Sequence, residues 1–122
     1  MRESGGYQEL VVWKQSMTLV ESIYIVTDSF PRKEDFVLTQ QMRRSAVSVP
    51  SNIAEGTGRG SHKEFTQFLR IAKGSTRELE TQIEIARRIG LVSEEAAAEL
   101  SIQTSSICIL LSKLIKSISP PA

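Results

Sequence analysis

The sequence predicts an all-α protein that folds as an antiparallel, up-down-up-down four-helix bundle. Three breaks, at residues 29–31, 56–60 and 90–93, divide the chain into four segments. Each segment is far longer than a typical strand of about 5 or 6 residues, and its apolar residues recur at steps of three and four. Because the breaks are short, consecutive helices are expected to lie side by side in opposite directions.

The first helix is predicted from one apolar stripe in the segment before the first break. The stripe consists of Leu10, Trp13, Met17, Val20 and Tyr24. Steps of three and four place these side chains on one side of a helix, so we expect this side to face the core.

The second helix is predicted from a weaker stripe with a proline inside it. The stripe consists of Leu38, Met42, Val49 and Ile53. The ring of Pro50 clashes with the carbonyl of Ala46 in an ideal helix. Because the stripe passes through Pro50, we expect one continuous helix that is kinked there, and a true break is the alternative.

The third and fourth helices have the most regular stripes and clear end signals. Their stripes are Phe65, Phe68, Ala72, Leu79, Ile83 and Ala86, then Ala97, Leu100, Thr104, Ile107, Leu111, Leu114 and Ile118. Ser61 with Glu64 is typical of a capping box, and Ser93 is typical of a helix N-cap. Gly90 suits a left-handed helix end, and the glycines of residues 56–60 are expected to end the second helix and turn the chain.

Composition limits what the chain can do. The one cysteine, Cys108, cannot form an internal disulfide, and the one histidine, His62, leaves nothing for a histidine cluster or a Ser-His-Asp triad. We therefore expect no metal site, no cofactor and no enzyme. The chain has no run of 18 or more apolar residues and no signal-peptide core at its start, so we expect a cytoplasmic protein without a membrane span.

The domain organisation follows from the same pattern. We expect residues 1–6 to be a disordered N-terminus, residues 7–118 to form one bundle domain and residues 119–122 to form a short tail. Several apolar residues lie off the predicted stripes, among them Val11, Leu19, Ile25, Val26, Ile102, Ile109 and Leu110. A helix that is apolar on more than one side usually buries more than one side, so we expect a homo-oligomer.

Basic residues are concentrated in the middle of the chain. Residues 41–77 hold seven cations and two acids, a balance of 7 − 2 = +5, against a net charge of +1 for the whole chain. These cations are candidate phosphate contacts for RNA or DNA: Arg43, Arg44, Arg59, Lys63, Arg70, Lys73 and Arg77. The competing interpretation is a solvated surface paired with the acids that follow. Stacking aromatics are not expected nearby, because Phe65 and Phe68 belong to the core stripe.

A line of polar residues runs along the second helix beside its apolar stripe. It consists of Gln41, Arg44, Ser45, Ser48, Asn52 and Glu55. Catalysis needs a nucleophile, a base and an orienting group together, and Asn52 with Glu55 does not supply that set. We therefore expect a structural hydrogen-bond network at a helix or subunit contact.

Five stretches of the chain together resemble one known family. They are residues 7–13, 30–31, 41–44, 48–56 and 74–80, and the most specific is Asn52-Ile53-Ala54-Glu55-Gly56 in its context. The family is that of the four-helix-bundle proteins encoded in intervening sequences of bacterial 23S rRNA genes. The similarity extends from Tyr7 to about Ile115.

This resemblance implies further properties. It implies an antiparallel bundle that assembles into a ring-like homopentamer, a second helix that continues through Pro50, and a kinship with accessory bundle proteins of diversity-generating retroelements, whose basic surface contacts nucleic acid. It implies no catalytic residues. At the matching positions it implies polar contacts by the Arg43-Arg44 pair, Asn52, Glu55, Ser75 and Glu78.

Two functions remain open on this basis. The first is a non-enzymatic, oligomeric accessory module that binds RNA through a basic surface of the second and third helices. The second is an adaptor that binds a protein partner through apolar helix faces.

Overall fold

The structure, a computed structural model, describes residues 6–118 and contains four α-helices and no strand in that part of the chain. The helices are α1 (Val11–Asp28), α2 (Leu38–Thr57), α3 (His62–Arg88) and α4 (Glu94–Ile118). Short 3-10 turns lie at Gly6–Glu9 and Arg32–Glu34. The predicted all-α, four-helix fold is confirmed. Except for Gly6, the predicted disordered N-terminus lies outside the described residues, as does the predicted tail at residues 119–122.

Each helix packs against two of the others. α1 contacts α2 and α4, and α3 contacts the same two helices from the other side, so the core lies along the middle of the bundle. Hydrogen bonds join Ser45 of α2 to Glu78 of α3, and Ser48 to Ser75. Residue numbers rise along α2 as they fall along α3, which is the order that an antiparallel pair produces. The antiparallel order of the whole bundle stays a prediction.

The buried side of α1 is not the predicted one. Met17 and Tyr24 are 39% and 44% exposed, whereas Leu19, which was expected to lie off the stripe, is completely buried. The residues that α1 buries are Val12, Ser16, Leu19, Ile23 and Thr27. The hydroxyls of Ser16 and Thr27 donate to carbonyl oxygens four residues earlier, at 2.6 and 2.7 Å. Because such hydroxyls are satisfied by their own helix, they occupy buried positions that an apolar pattern does not reveal.

α2 continues through Pro50 without interruption. The proline is buried inside the helix, and Met42, Val49 and Ile53 of the predicted stripe are completely buried around it. The alternative of a true break at Pro50 is therefore wrong, while the kink stays a prediction. Burial of this stripe outweighs the loss of one helical hydrogen bond at the proline.

The predicted ends of α3 are confirmed. Ser61 caps its start, since the Ser61 Oγ accepts from the Glu64 N–H at 3.1 Å. At its end Gly90 adopts a φ of +82°, and the Leu91 N–H reaches the Ala86 carbonyl at 2.9 Å. This is the glycine-terminated motif that closes a helix with two reverse hydrogen bonds.

The role of Gly56 differs from the predicted one, which was to end α2 and turn the chain. It lies inside α2 and is buried, and a Cβ placed on it would lie 2.8 Å from Cδ1 of Phe65 and 2.9 Å from Cβ of Phe68. A side chain of any size would therefore push α2 and α3 apart. The turn itself is made by Gly60, whose φ is +88°.

α4 is long and apolar enough to cross a membrane by length and composition alone. One 18-residue window within it has a mean hydropathy of 1.3, and 28% of that window is buried. The core helix of a soluble bundle passes the same test, and α4 packs Leu100, Ile107 and Leu111 into the core. The apolar residues of α4 that are not in the core, such as Ile102 and Ile109, are exposed on the outside of the bundle.

Two glycine-to-alanine substitutions test the close contact of α2 and α3. Gly56→Ala is expected to lower the free energy of unfolding by about 1–3 kcal/mol, because the added methyl has no space. Gly74→Ala is the matched control: it is helical and exposed, with no atom within 4 Å of the new Cβ. It should raise stability by about 0.5–1 kcal/mol. Chemical denaturation measures both, and equal effects of the two substitutions would contradict the packing argument.

Candidate nucleic-acid interface

The outer side of α3 carries a row of cations. Lys63, Arg70 and Arg77 follow one another at intervals of seven residues, close to two helical turns, and all three are exposed. Lys73 is half-buried at the edge of this row. We call these four residues the basic ridge. From its first to its last residue the ridge is about 21 Å long.

The ridge is only partly neutralised. Arg77 Nη1 lies 3.1 Å from Glu80 Oε1, and this hydrogen bond raises the pKa of the arginine. Within residues 6–118, Lys63, Arg70 and Lys73 form no ion pair. An exposed pair such as Arg77–Glu80 is weak, so it still leaves a positive surface over most of the ridge.

Arg59 lies in the turn between α2 and α3, close to the start of the ridge. Its Nε is 3.3 Å from Glu55 Oε2, and its guanidinium carbon is 4.9 Å from the centre of the Phe68 ring. The ring and the carboxylate together hold Arg59 against the turn. Glu55 thereby joins this turn instead of the network in which it was expected.

Arg43 and Arg44 do not extend the basic ridge as a pair, because the two side chains have different surroundings. Arg43 Nε donates to Thr27 Oγ1 at 2.8 Å, and its guanidinium carbon is 4.5 Å from the centre of the Tyr24 ring. Arg43 therefore fastens α2 to α1, on the side of α2 away from α3. Arg44 is exposed and forms no ion pair in the described part of the chain.

A compact hydrogen-bond network joins α2 to α3. Ser48 Oγ and Ser75 Oγ are 2.8 Å apart, and Asn52 Nδ2 donates to the Ser48 carbonyl and hydroxyl at 2.8 and 2.9 Å. Ser45 Oγ donates separately to Glu78 Oε1 at 3.1 Å. Of the four residues predicted to form the polar network, Asn52 and Ser75 meet through Ser48, Glu78 binds Ser45, and Glu55 lies elsewhere.

The C-terminal end of α3 is tied to α4 by charges. Glu84 accepts from Arg87 at 2.8 and 3.0 Å and from Arg88 at 2.8 Å, and the two guanidinium groups lower its pKa to about 2. Arg87 Nη1 also reaches Glu94 Oε1 of α4 at 2.8 Å. Because acids and cations are paired here, the positive surface ends near Arg77. This cluster is not among the sequence-based predictions, although the spacing of three and four residues is a known signal for such pairs.

A cleft of about 640 Å³ opens beside the start of the ridge. Tyr7 and Leu10 of the N-terminal turn form one side, and Gly56, His62 and Phe65 lie on the other. The ring of Tyr7 meets that of Trp13 edge to face, with centres 5.3 Å apart and planes at 65°. Phe65 packs against the core as predicted, and the expectation that stacking aromatics are missing near the cations stays a prediction. The cleft was not predicted, because Tyr7 is far from the cations in sequence and because Phe65, assigned to the core stripe, is only half-buried.

One substitution tests whether the network on α2 is structural. Asn52→Ala removes two hydrogen bonds at a half-buried position, so the free energy of unfolding should fall by about 1 kcal/mol. Ser51→Ala, an exposed neighbour on the same helix, should change it by less than about 0.5 kcal/mol. Thermal or urea unfolding gives both values. An unchanged free energy of unfolding in Asn52→Ala would contradict a structural role for this network.

The chain is similar to known proteins over most of its length. A family model described as "23S rRNA-intervening sequence protein" matches residues 8–113. A crystal structure of a protein of unknown function from the S23 ribosomal protein family of Bacteroides thetaiotaomicron VPI-5482 superposes with a TM-score of 0.79. The two chains are 26% identical, and the similar part covers 87% of this chain and 96% of the other. No curated protein matches the chain.

Proposed function

The chain belongs to the 23S rRNA-intervening sequence protein family, and we propose that it is a non-enzymatic, oligomeric bundle protein that binds RNA through the basic ridge of α3. The ridge is the observation that carries this proposal. Residues 62–77 hold the four ridge cations and one acid, Glu64, a balance of 4 − 1 = +3. The whole chain has a net charge of only +1. The positive charge is therefore local, as phosphate recognition requires.

The ridge has the geometry of a phosphate-binding surface. Three of its four cations are exposed, at intervals of about 10 Å along the helix, and of these Lys63 and Arg70 form no ion pair among the described residues. Arg59 adds a fifth cation at the turn, partly offset by Glu55. Such contacts give affinity without reading sequence. The choice of RNA over DNA rests on the description of the family.

The two polar residues weighed for catalysis, Asn52 and Glu55, both have partners within the bundle. Asn52 donates both to the carbonyl and to the hydroxyl of Ser48, and Glu55 pairs with Arg59. His62, the only histidine, is exposed in the first turn of α3. This arrangement supports a binding protein. The kinship with retroelement accessory proteins, and a cytoplasmic location, stay predictions.

The outer surface supports the oligomer. Ile102 and Ile109 of α4 are 71% and 55% exposed and line a shallow groove with Leu110. A second exposed apolar group includes Phe36, which is 87% exposed between α1 and α2. Two different apolar surfaces on one chain favour head-to-tail contacts, which close into a ring when the rotation permits. The number five comes from the resemblance alone.

The exposed α4 groove also supports the second candidate, an adaptor for a protein partner. Such a partner would cover Ile102 and Ile109 in place of another copy of the chain. Binding that survives nuclease treatment and high salt would favour the adaptor, because apolar contacts do not depend on phosphates.

The RNA-binding proposal is tested by a salt series. The double variant Lys63→Gln/Arg70→Gln should bind single-stranded RNA more weakly, and the slope of log affinity against log salt should fall by about 1.4. Lys14→Gln/Lys113→Gln removes two exposed cations from α1 and α4 and is the matched control. Fluorescence anisotropy with labelled RNA measures both. Undetectable binding by the wild-type protein at low salt would refute the proposal.

Light scattering tests the oligomer. The wild-type protein should have several times the 13.6 kDa mass of one chain, and Ile102→Lys should reduce that mass while leaving the helical circular dichroism unchanged. Thr81→Lys introduces the same charge at an exposed position of α3 and should leave the mass as it is. A monomeric wild-type protein at micromolar concentration would contradict the assembly.

A further inference from the structure

The cleft beside the basic ridge is lined mainly by aromatic and small residues and not by the cations of the ridge. Its volume of about 640 Å³ is in the range of small-ligand sites, and its walls come from segments far apart in sequence. Tyr7 and Leu10 lie on one side, with Phe65 and His62 of α3 on the other. Gly56 also lines the cleft, at the point where α2 packs closely against Phe65.

The residues on the two sides of the cleft suit a flat aromatic ligand. Tyr7 and Phe65 are both half-buried, so each still has ring surface available to the cleft. The ring of Tyr7 is held by its edge-to-face contact with Trp13 at 5.3 Å. A positioned ring loses little entropy when a guest stacks on it, and every nucleobase has a face that stacks on an aromatic side chain.

The charges around the cleft favour a guest that carries phosphates on one side. His62 lines the cleft, and the next residue, Lys63, begins the basic ridge. Three acids are next in sequence to residues that line the cleft: Glu55 pairs with Arg59, Glu64 accepts from the Ser61 hydroxyl at 3.3 Å, and Glu9 of the N-terminal turn is exposed. A base in the cleft therefore has its backbone directed toward Lys63 and the cations beyond it.

We propose that the cleft holds one unpaired nucleobase of a single-stranded RNA segment, stacked on Tyr7, while the adjoining phosphates lie along the basic ridge. This inference rests on the proposed RNA binding and adds the class of RNA. Bases in a duplex are stacked and paired, whereas loops, bulges and ends have bases that can enter a cleft. The chain then distinguishes single strands from duplexes without reading a sequence.

The test compares two probes of equal charge. One is an eight-nucleotide oligoadenylate, and the other is the same ribose–phosphate chain with abasic residues. The wild-type protein should bind the oligoadenylate about 10-fold more tightly, which is a typical contribution of one stacked base. Binding should also alter the fluorescence of Trp13, the only tryptophan, because its neighbour Tyr7 is the stacking ring. The abasic probe should leave that signal unchanged.

Two substitutions locate the effect at the ring. Tyr7→Leu keeps apolar volume but removes the aromatic ring, so its affinity for oligoadenylate should fall to that for the abasic probe. Tyr7→Phe retains the ring and should bind as the wild-type protein does. Neither substitution should change the affinity for the abasic probe, which contacts only the ridge.

The outcomes separate this inference from the proposed function. Equal affinity of the wild-type protein for both probes, with a normal salt slope, would overturn the cleft assignment and leave the ridge intact. Absence of binding to either probe would overturn both. A wild-type preference for oligoadenylate that persists in Tyr7→Leu would also overturn the assignment, because the base would then lie elsewhere.

Discussion

The close contact of α2 with α3 is the constraint on which the rest of the molecule depends. At Gly56 the two helices approach so closely that a Cβ would lie 2.9 Å from Cβ of Phe68. This contact fixes where α2 ends and where Gly60 turns the chain into α3. The start of α3 then lies across a cleft from the N-terminal turn that carries Tyr7. A small residue at one position therefore permits the close approach of α2 and α3 next to the turn that carries Arg59.

Polar side chains set the alignment of the helices in this bundle. Ser45 and Ser48 bind α3, Arg43 binds Thr27 of α1, and Gln103 of α4 donates to Ser22 at 3.2 Å. An apolar contact tolerates sliding along a helix, whereas a hydrogen bond at 2.8 to 3.2 Å does not. Such bonds favour one alignment for α1 with α2, for α1 with α4 and for α2 with α3, while the buried apolar residues supply most of the stability.

The sequence predicts the elements of this fold better than it predicts the contacts between them. The ends of α3 were foreseen because Ser61 and Gly90 act within one turn of the chain. The buried side of α1 was not foreseen, because Ser16 and Thr27 occupy core positions that an apolar pattern does not reveal. The cleft was missed for another reason: Tyr7 and Phe65 come to line the same cleft only after folding. The destinations of Arg43 and Glu55 likewise depend on partners that the helical period does not specify.

The exposed apolar residues of the α4 groove lie on a different helix from the basic ridge. The ridge lies on α3, whereas Ile102 and Ile109 lie on α4, so the proposed assembly and the proposed RNA binding would use different residues. Ultraviolet crosslinking of oligoadenylate to the wild-type protein, with mass spectrometry of the linked peptides, tests this account most directly. The account predicts crosslinks at Tyr7 and within residues 59–77. Crosslinks confined to the outer side of α4, or to α1 beyond Trp13, would contradict it.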